Sequence, residues 1–561
     1  MLQTASRKKI TACLFIYFAF CTAISGATLE NQSQISYFLQ RGQFSSAVWA
    51  YQQQAYLAKQ HDPVAIEKIA TAIVKEGMDS SDSNKRLIAY YSMIACNYVP
   101  SLQHLKSAMQ TKHPGLQLAA IYLLKQHTGD RSEEVLRQGL LSPFPIIQLT
   151  TAYALAQKKF PKAYALLESL LYKTPKALHI YFPEFFATLD TVESRRKVLQ
   201  FINDGDEKLR IAAIISAMQH KLEEALPYFR TILTHTNPLE QEACLFAVSH
   251  MNDTASLSRM KNLTMSACDE VAIASSFALY NLGHHEYYTT IVKLAENENL
   301  FAIALLGTIP EGTNSLYGLL KNPNFTIRIN AALSLLQLRD NTCLPVIMEI
   351  LQAGRSGMVF CQVTSQGGCM HYIKPQASLP NIQESLALKS KQDSGAILEN
   401  LILQTSELAE ANFLSIAQFL LESNYSNLIP LTIQLLENLQ TPEAINILES
   451  GVSKLGCPLI RGYSQIALFK LGRNPLSRSF HQFLENSLSL SLVNYEEIRN
   501  KKNIGIFTLE PEETLRLVLT SMQAIASESC ESSIDILLQS IRNSHELNRY
   551  ILAGLLLQCI Q

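Results

Sequence analysis

The sequence predicts an all-α fold in which helix pairs stack side by side into an α-α superhelix, or solenoid. Small residues recur at a near-constant interval: Ala119, Ala152, Ala213, Ala243, Ala274, Ala302 and Ala331 are separated by 33, 61, 30, 31, 28 and 29 positions, and the 61 is close to two units. A period near 30 sustained over several units marks a solenoid. Apolar residues elsewhere recur at three and four positions, and few stretches alternate with the period of two that strands require. Proline falls between the apolar runs rather than inside them. The 561 residues are 47% hydrophobic and 17% charged, enough apolar surface for a large core and too little charge for a disordered chain. Length alone would suggest three or four domains, but a repeat array packs each unit only on its neighbours and grows without one central core.

The clearest unit is Asn322-Pro323-Asn324-Phe325-Thr-Ile327-Arg328-Ile-Asn330-Ala331-Ala332-Leu-Ser-Leu335-Leu336-Gln-Leu338-Arg-Asp340. Proline suits a first helical turn, the paired alanines let neighbouring helices approach, and the spaced leucines form a buried stripe. This order of Asx-Pro, aliphatic-Arg, Ala-Ala, spaced Leu and a final Asp resembles the second helix of a HEAT repeat. Weaker copies are Pro114-Gly-Leu-Gln-Leu-Ala-Ala120, Lys208-Leu-Arg-Ile-Ala-Ala213, Asn237-Pro238 leading to Ala243, and Asp269-Glu-Val-Ala-Ile-Ala274. Near the N-terminus, Gly42-Gln-Phe44-Ser-Ser-Ala47-Val-Trp-Ala-Tyr51-Gln-Gln-Gln-Ala55 resembles the second helix of a tetratricopeptide repeat. Phe160-Pro-Lys-Ala163 and Leu222-Glu-Glu-Ala225 echo part of it.

Residues 1–27 read as a secretory signal peptide. Arg7, Lys8 and Lys9 form a basic start, Ile10 to Ile24 is an uncharged apolar run, and Ser25-Gly26-Ala27 places small residues for cleavage after Ala27. The apolar run falls short of the roughly 20 residues a spanning helix needs. The expectation is export through the Sec pathway to the periplasm or the exterior of a bacterial envelope, with membrane contact only through this segment if it stays uncleaved. Without it the chain carries 44 Lys and Arg against 48 Asp and Glu, a net charge of −4. Such a body lacks the basic footprint of a nucleic-acid binder, so no nucleic-acid partner is expected.

The remaining chain divides into an N-terminal repeat array at 28–353, an insertion at 354–380, a second helical segment at 381–493 and C-terminal helices capping the array at 494–561. The insertion is Gly-rich, Met358 to Thr364 has β propensity, and Gln366-Gly367-Gly368 is a turn signal, so a protruding loop with a short β-hairpin is expected. Long insertions in solenoids often lie on the binding face. Met358, Phe360, His371 and Tyr372 are therefore the candidate binding residues. In the final helix, Ile551, Leu552, Leu555, Leu556, Leu557 and Ile560 cover more than one stripe, which predicts that it tucks into the array or docks on a partner.

Cysteines inside helical patterns (Cys96, Cys244, Cys268, Cys343, Cys530 and Cys559) read as small core residues. Cys361 and Cys369 flank the Gly-Gly of the insertion and are a candidate disulfide in an oxidising compartment. With His371 they offer three metal ligands, but a zinc site needs a fourth and there is no Cys-x-x-Cys pair, so no metal or cofactor is expected. His284-His285-Glu286 reads as a polar turn, and Ser194-Arg-Arg-Lys197 matches Ser-x-x-Lys without its companion motifs. No catalytic residue is assigned. The HEAT resemblance implies a non-enzymatic scaffold that binds a protein or another macromolecule through its concave surface. The alternatives are a structural component of an envelope or secretion assembly, and an enzyme of the HEAT-like lyase class.

Overall fold

A computed structural model describes residues 33–127, 129–364, 370–376, 394–423, 425–453, 457–492 and 509–560. The signal segment, the Gly-Gly turn and Cys369 lie outside the described residues. The fold is all-α, of stacked helix pairs, with one two-stranded sheet among the described residues. The described residues group into two compact units, one from Met1–Ser142 with Val452–Gln561 and one from Pro143–Gly451.

Three helices open the first unit: α1 (Phe44–Ala58), α2 (Pro63–Asp79) and α3 (Ser83–Ala95). The carboxylate of Asp62 caps α2 by accepting from the Val64 N–H, and Pro63 fills the first turn where no N–H is required.

In the second unit the second helices of successive pairs are α4 (Glu207–Gln219), α5 (Pro238–His250), α6 (Asp269–Asn281), α7 (Leu300–Leu306) and α8 (Phe325–Gln337). The first four begin 31 residues apart, which is the physical origin of the period in the sequence. They pack in series, each on the next. All seven landmark alanines are at most 2% exposed. At the α7–α8 crossing a methyl group on Gly307 would sit 2.8 Å from the Ser334 Cα, so only glycine permits this approach. Ser334 Oγ also donates to the Ile303 carbonyl at 2.8 Å.

The aliphatic-Arg pair acquires a structural reason. Arg210 Nη1 donates to the Asp204 carbonyl at 2.7 Å, and Arg328 Nη1 to the Asn322 carbonyl at 2.8 Å, each reaching back over the loop that precedes its helix. The same guanidinium groups then bind Glu240 and Glu349, both on other helices.

Each of α4, α5, α6 and α8 ends in a residue with left-handed backbone: Lys221 (φ 50°), Asn252 (55°), Gly283 (91°) and Arg339 (59°). The following N–H bonds the carbonyl five residues back, as in Leu222 to Ala217 (2.9 Å) and Asp340 to Leu335 (2.9 Å), which satisfies a terminal carbonyl. A three-residue 3-10 turn follows, at Glu223–Ala225, Thr254–Ser256, His285–Tyr287 and Asn341–Cys343. Leu222–Ala225 is thus an inter-repeat turn and Phe160–Ala163 a helix start, not parts of second helices. His284-His285-Glu286 occupies the same turn.

After α9 (Leu344–Arg355), Gly357 adopts φ 84° and the chain enters β1 (Val359–Thr364) and β2 (His371–Gln376), an antiparallel hairpin, before α10 (Ser394–Thr405). The hairpin lies against α7 and α8 through β2 and against α10 through β1.

The first unit closes with α11 (Pro511–Ser527), α12 (Glu531–Asn543) and α13 (Asn548–Cys559). Helix α13 packs on α2, α3, α11 and α12, and α12 packs on α1. Tyr550 Oη donates to Glu76 at 2.6 Å, and Gly554 and Gly77 sit where a methyl group would strike Ser92 and Tyr550. The apolar terminal helix is therefore buried within its own unit. Cys530 departs from expectation: it precedes α12 as an exposed residue rather than a core one.

Candidate binding cleft

The hairpin forms a site because its pleat sorts its side chains. Register pairs Phe360 with Pro375, Gln362 with Ile373 and Thr364 with His371, which puts the side chains of Phe360, Gln362, His371 and Ile373 on one face. Cys361, Val363, Tyr372 and Lys374 belong to the opposite face. Cys361 and His371 project to opposite sides, which removes the geometric basis for a shared metal site. Among the described residues no group of three His, Cys, Asp or Glu side chains is placed to hold a metal ion.

The Asn330 side chain fixes the hairpin. It is 2% exposed on α8, and its carboxamide accepts from the Ile373 N–H at 2.9 Å and donates to the Ile373 carbonyl at 2.7 Å. A second donor contact goes to the Thr326 carbonyl at 2.8 Å. One side chain thereby presents the donor and acceptor of a neighbouring strand, and a buried amide so satisfied costs little.

Between hairpin, α8, α9 and α10 lies a cavity of about 390 Å³, within the range of natural ligand sites. Its floor is apolar, including Ile350, Phe360, Ile397 and Leu401; its polar lining includes Gln337, Gln362, Asn400 and Gln404. No Asp, Glu, Lys or Arg lines it.

The four residues singled out from the sequence separate. Phe360 is 1% exposed and anchors the hairpin on the apolar floor. His371 and Tyr372 line the cavity, while Met358 is 39% exposed and lies outside its lining. Burial, reinforced by the Glu270 and Glu242 carboxylates, pushes the Tyr372 phenol above its ordinary value. The Cys361–Cys369 pairing lies outside the described residues; Cys361 itself is buried. Sequence reasoning missed Asn330 and the four amides. A signal existed for Asn330, a polar side chain beside Ala331-Ala332 in an otherwise buried stripe.

Other polar clusters are structural. Ser194 forms a reciprocal capping box with Thr191, and Lys197 pairs with Glu168 at 3.2 Å and lies over the Tyr172 and Phe201 rings. Ser-x-x-Lys therefore serves a helix start.

No family model matches the chain, and no curated protein matches it. Solved structures are similar to it at low identity. The complex of CpcE and CpcF of phycocyanin lyase from Nostoc sp. PCC7120 is 17% identical over 40% of this chain and 96% of that one, with a TM-score of 0.28. Human deoxyhypusine hydroxylase in complex with glycerol is 13% identical over 44% and 98%, at 0.21. Kap121p bound to Nup53p is 12% identical over 89% and 75%, at 0.33.

Proposed function

We propose that this protein is a non-enzymatic scaffold that holds an extended polypeptide segment of a protein partner in the cleft of the second unit. One observation carries the reading: the Asn330 carboxamide already grips both backbone groups of Ile373. The chain's own strand is held by the chemistry proposed here for the partner. Gln337, Gln362, Asn400 and Gln404 offer the same donor–acceptor pairing beside an apolar floor. The uncharged lining disfavours phosphate-bearing or strongly charged ligands, which would lose hydration without gaining a counter-charge.

Export is part of the proposal and rests on the basic, apolar and small-residue order of residues 1–27. An intact mass of the mature protein beginning at Thr28 is expected.

An array of short peptides tests the binding reading. The wild type should retain uncharged, extended sequences with Kd tighter than about 100 μM, and the double variant Asn400→Leu/Gln404→Leu should lose them. An array with no such ligand, or one the double variant binds equally well, would contradict it.

A further inference from the structure

We infer that Cys530 and Cys559 are a reactive thiol pair, which a low-molecular-weight disulfide oxidises to an intramolecular disulfide that pins α12 to α13. Among the described residues Cys530 is the one exposed cysteine. It is the N-cap of α12, and its Sγ lies 3.0 Å from Ser532 Oγ and 3.1 Å from Ser533 Oγ. These two hydroxyl groups stabilise the thiolate and pull the thiol below its ordinary value, against the opposing effect of partial burial. A thiol that ionises readily and reaches solvent is the attacking group in disulfide exchange.

The second thiol is brought by the fold. Residues 544–547 turn the chain between α12 and α13, and the two helices pack on each other as an antiparallel pair. Helix α12 has 13 residues and α13 has 12, so the residue before the first and the last residue of the second meet at one end. Cys559 is 5% exposed there. Burial pushes its thiol up, the charge of Cys530 pushes it further, and the hydroxyl and N–H of Ser529 oppose both. The chain corner at Ser529 and Cys530 therefore faces the Cys559 sulfur. Both cysteines stand at helix ends, where the backbone adjusts most easily to the roughly 4.4–6.8 Å between Cα atoms that a disulfide requires.

The exchange takes two displacements. The Cys530 thiolate, its proton given to solvent, attacks one sulfur of a small disulfide R–S–S–R. The bond from Cys530 to that sulfur forms, the R–S–S–R bond breaks, and R–S⁻ leaves. Capping Cys530 in this way removes the charge that opposed ionisation of Cys559. The Cys559 thiolate, its proton likewise given to solvent, then attacks the Cys530 sulfur and expels the second R–S⁻. The two leaving thiolates take up the two protons, so two protein thiols are oxidised and one small disulfide is reduced to two thiols. The burial of Cys559 sets this order, because it meets only a sulfur already held beside it. The bond ties together the two helices that pack on α1, α2 and α3.

Glutathione disulfide is the probe, added to the reduced, full-length protein before free thiols are alkylated and the digest is mapped by mass. The wild type should yield a cross-linked peptide joining Cys530 to Cys559, while the buried Cys96, Cys244 and Cys343 are alkylated only after unfolding. Cys559→Ala should stop at one glutathione on Cys530, and Cys530→Ser should leave Cys559 reduced. A wild type in which glutathione stays on Cys530, or in which Cys530 stays free, would overturn the pair, and that readout needs no variant to fold. The disulfide should raise the melting temperature of the wild type by roughly 5–10 °C over the reduced protein, and the same treatment should leave Cys559→Ala unshifted. Equal melting of the oxidised and reduced wild type would overturn the pinning of α12 to α13.

Discussion

The Asn330 carboxamide ties a helix to a strand 43 residues away through two bonds to the backbone of one residue. Asn330→Leu would leave the Ile373 N–H and C=O without their partner. A cost of about 1–3 kcal/mol is expected, read as a lower melting temperature and as faster amide exchange over 370–376. Unchanged exchange there would show that the hairpin is held by something else. At Tyr51 the chemistry concerns pH. This phenol is buried, receives the Asp62 N–H at 2.9 Å and lies 3.1 Å from His61 Nδ1. Burial, aided by the carboxylates of Asp62, Glu531 and Asp535 against the opposing Asp62 N–H bond, pushes it up to about 12. A folded value raised above the unfolded 10.0 favours the neutral form, so its stabilisation is complete below pH 10 and is lost as pH climbs towards 12. Tyr51→Phe should flatten the alkaline limb of the stability–pH curve, measured by denaturant unfolding; an equally steep limb would assign it to other groups. Roles of this kind escape a one-dimensional reading, because a lone Asn or Tyr in a helical pattern does not reveal what it faces. Phe360 shows the converse: read as a candidate binding residue of a protruding loop, it is turned by the pleat onto the cleft floor.

Helix starts were legible, and helix stops only where glycine marks them, as at Gly283. Asx-Pro and Asp-Glu signals mark α2, α5 and α6 because caps and first-turn prolines act locally. The left-handed stops at Lys221, Asn252 and Arg339 use residues other than glycine, so composition does not flag them. The hairpin was legible in outline because β-branched residues interrupt the helical period, whereas its pairing with α8 required the fold. The Ala-Ala landmarks predict close helix approach, and Gly307 tests it. Gly307→Ala places a methyl group 2.8 Å from backbone at Ser334, and a loss of about 1–3 kcal/mol in denaturant unfolding is expected. A neutral result would mean that α7 and α8 separate easily. Asn324 caps α8 through the Thr326 N–H, and Asn324→Ala should cost about 1 kcal/mol in the same assay.

Across the whole chain, the first unit is completed by helices that no local signal pairs. Tyr550 and Glu76 are 474 residues apart in sequence. That α13 is apolar on several sides showed that it needed covering, but not by what, since burial pattern encodes exposure rather than partner. Truncation before α12 should expose the α1–α3 faces that α12 and α13 cover, lowering the melting temperature of the first unit and increasing binding of a hydrophobic dye; unaltered melting would separate α12 and α13 from its core. The repeat, by contrast, was legible over most of the second unit because each pair meets only its neighbours. The cleft was legible only as the location of an insertion, since its amides come from α8, β1 and α10. Site-specific cross-linking tests its assignment most directly. With p-benzoylphenylalanine in place of Gln337, irradiation of the protein with its cellular partners should yield an adduct mapping to an extended, uncharged stretch of one polypeptide, absent when the same group replaces the exposed Tyr56. Equal labelling from both positions, or none from Gln337, would contradict the cleft as the binding site.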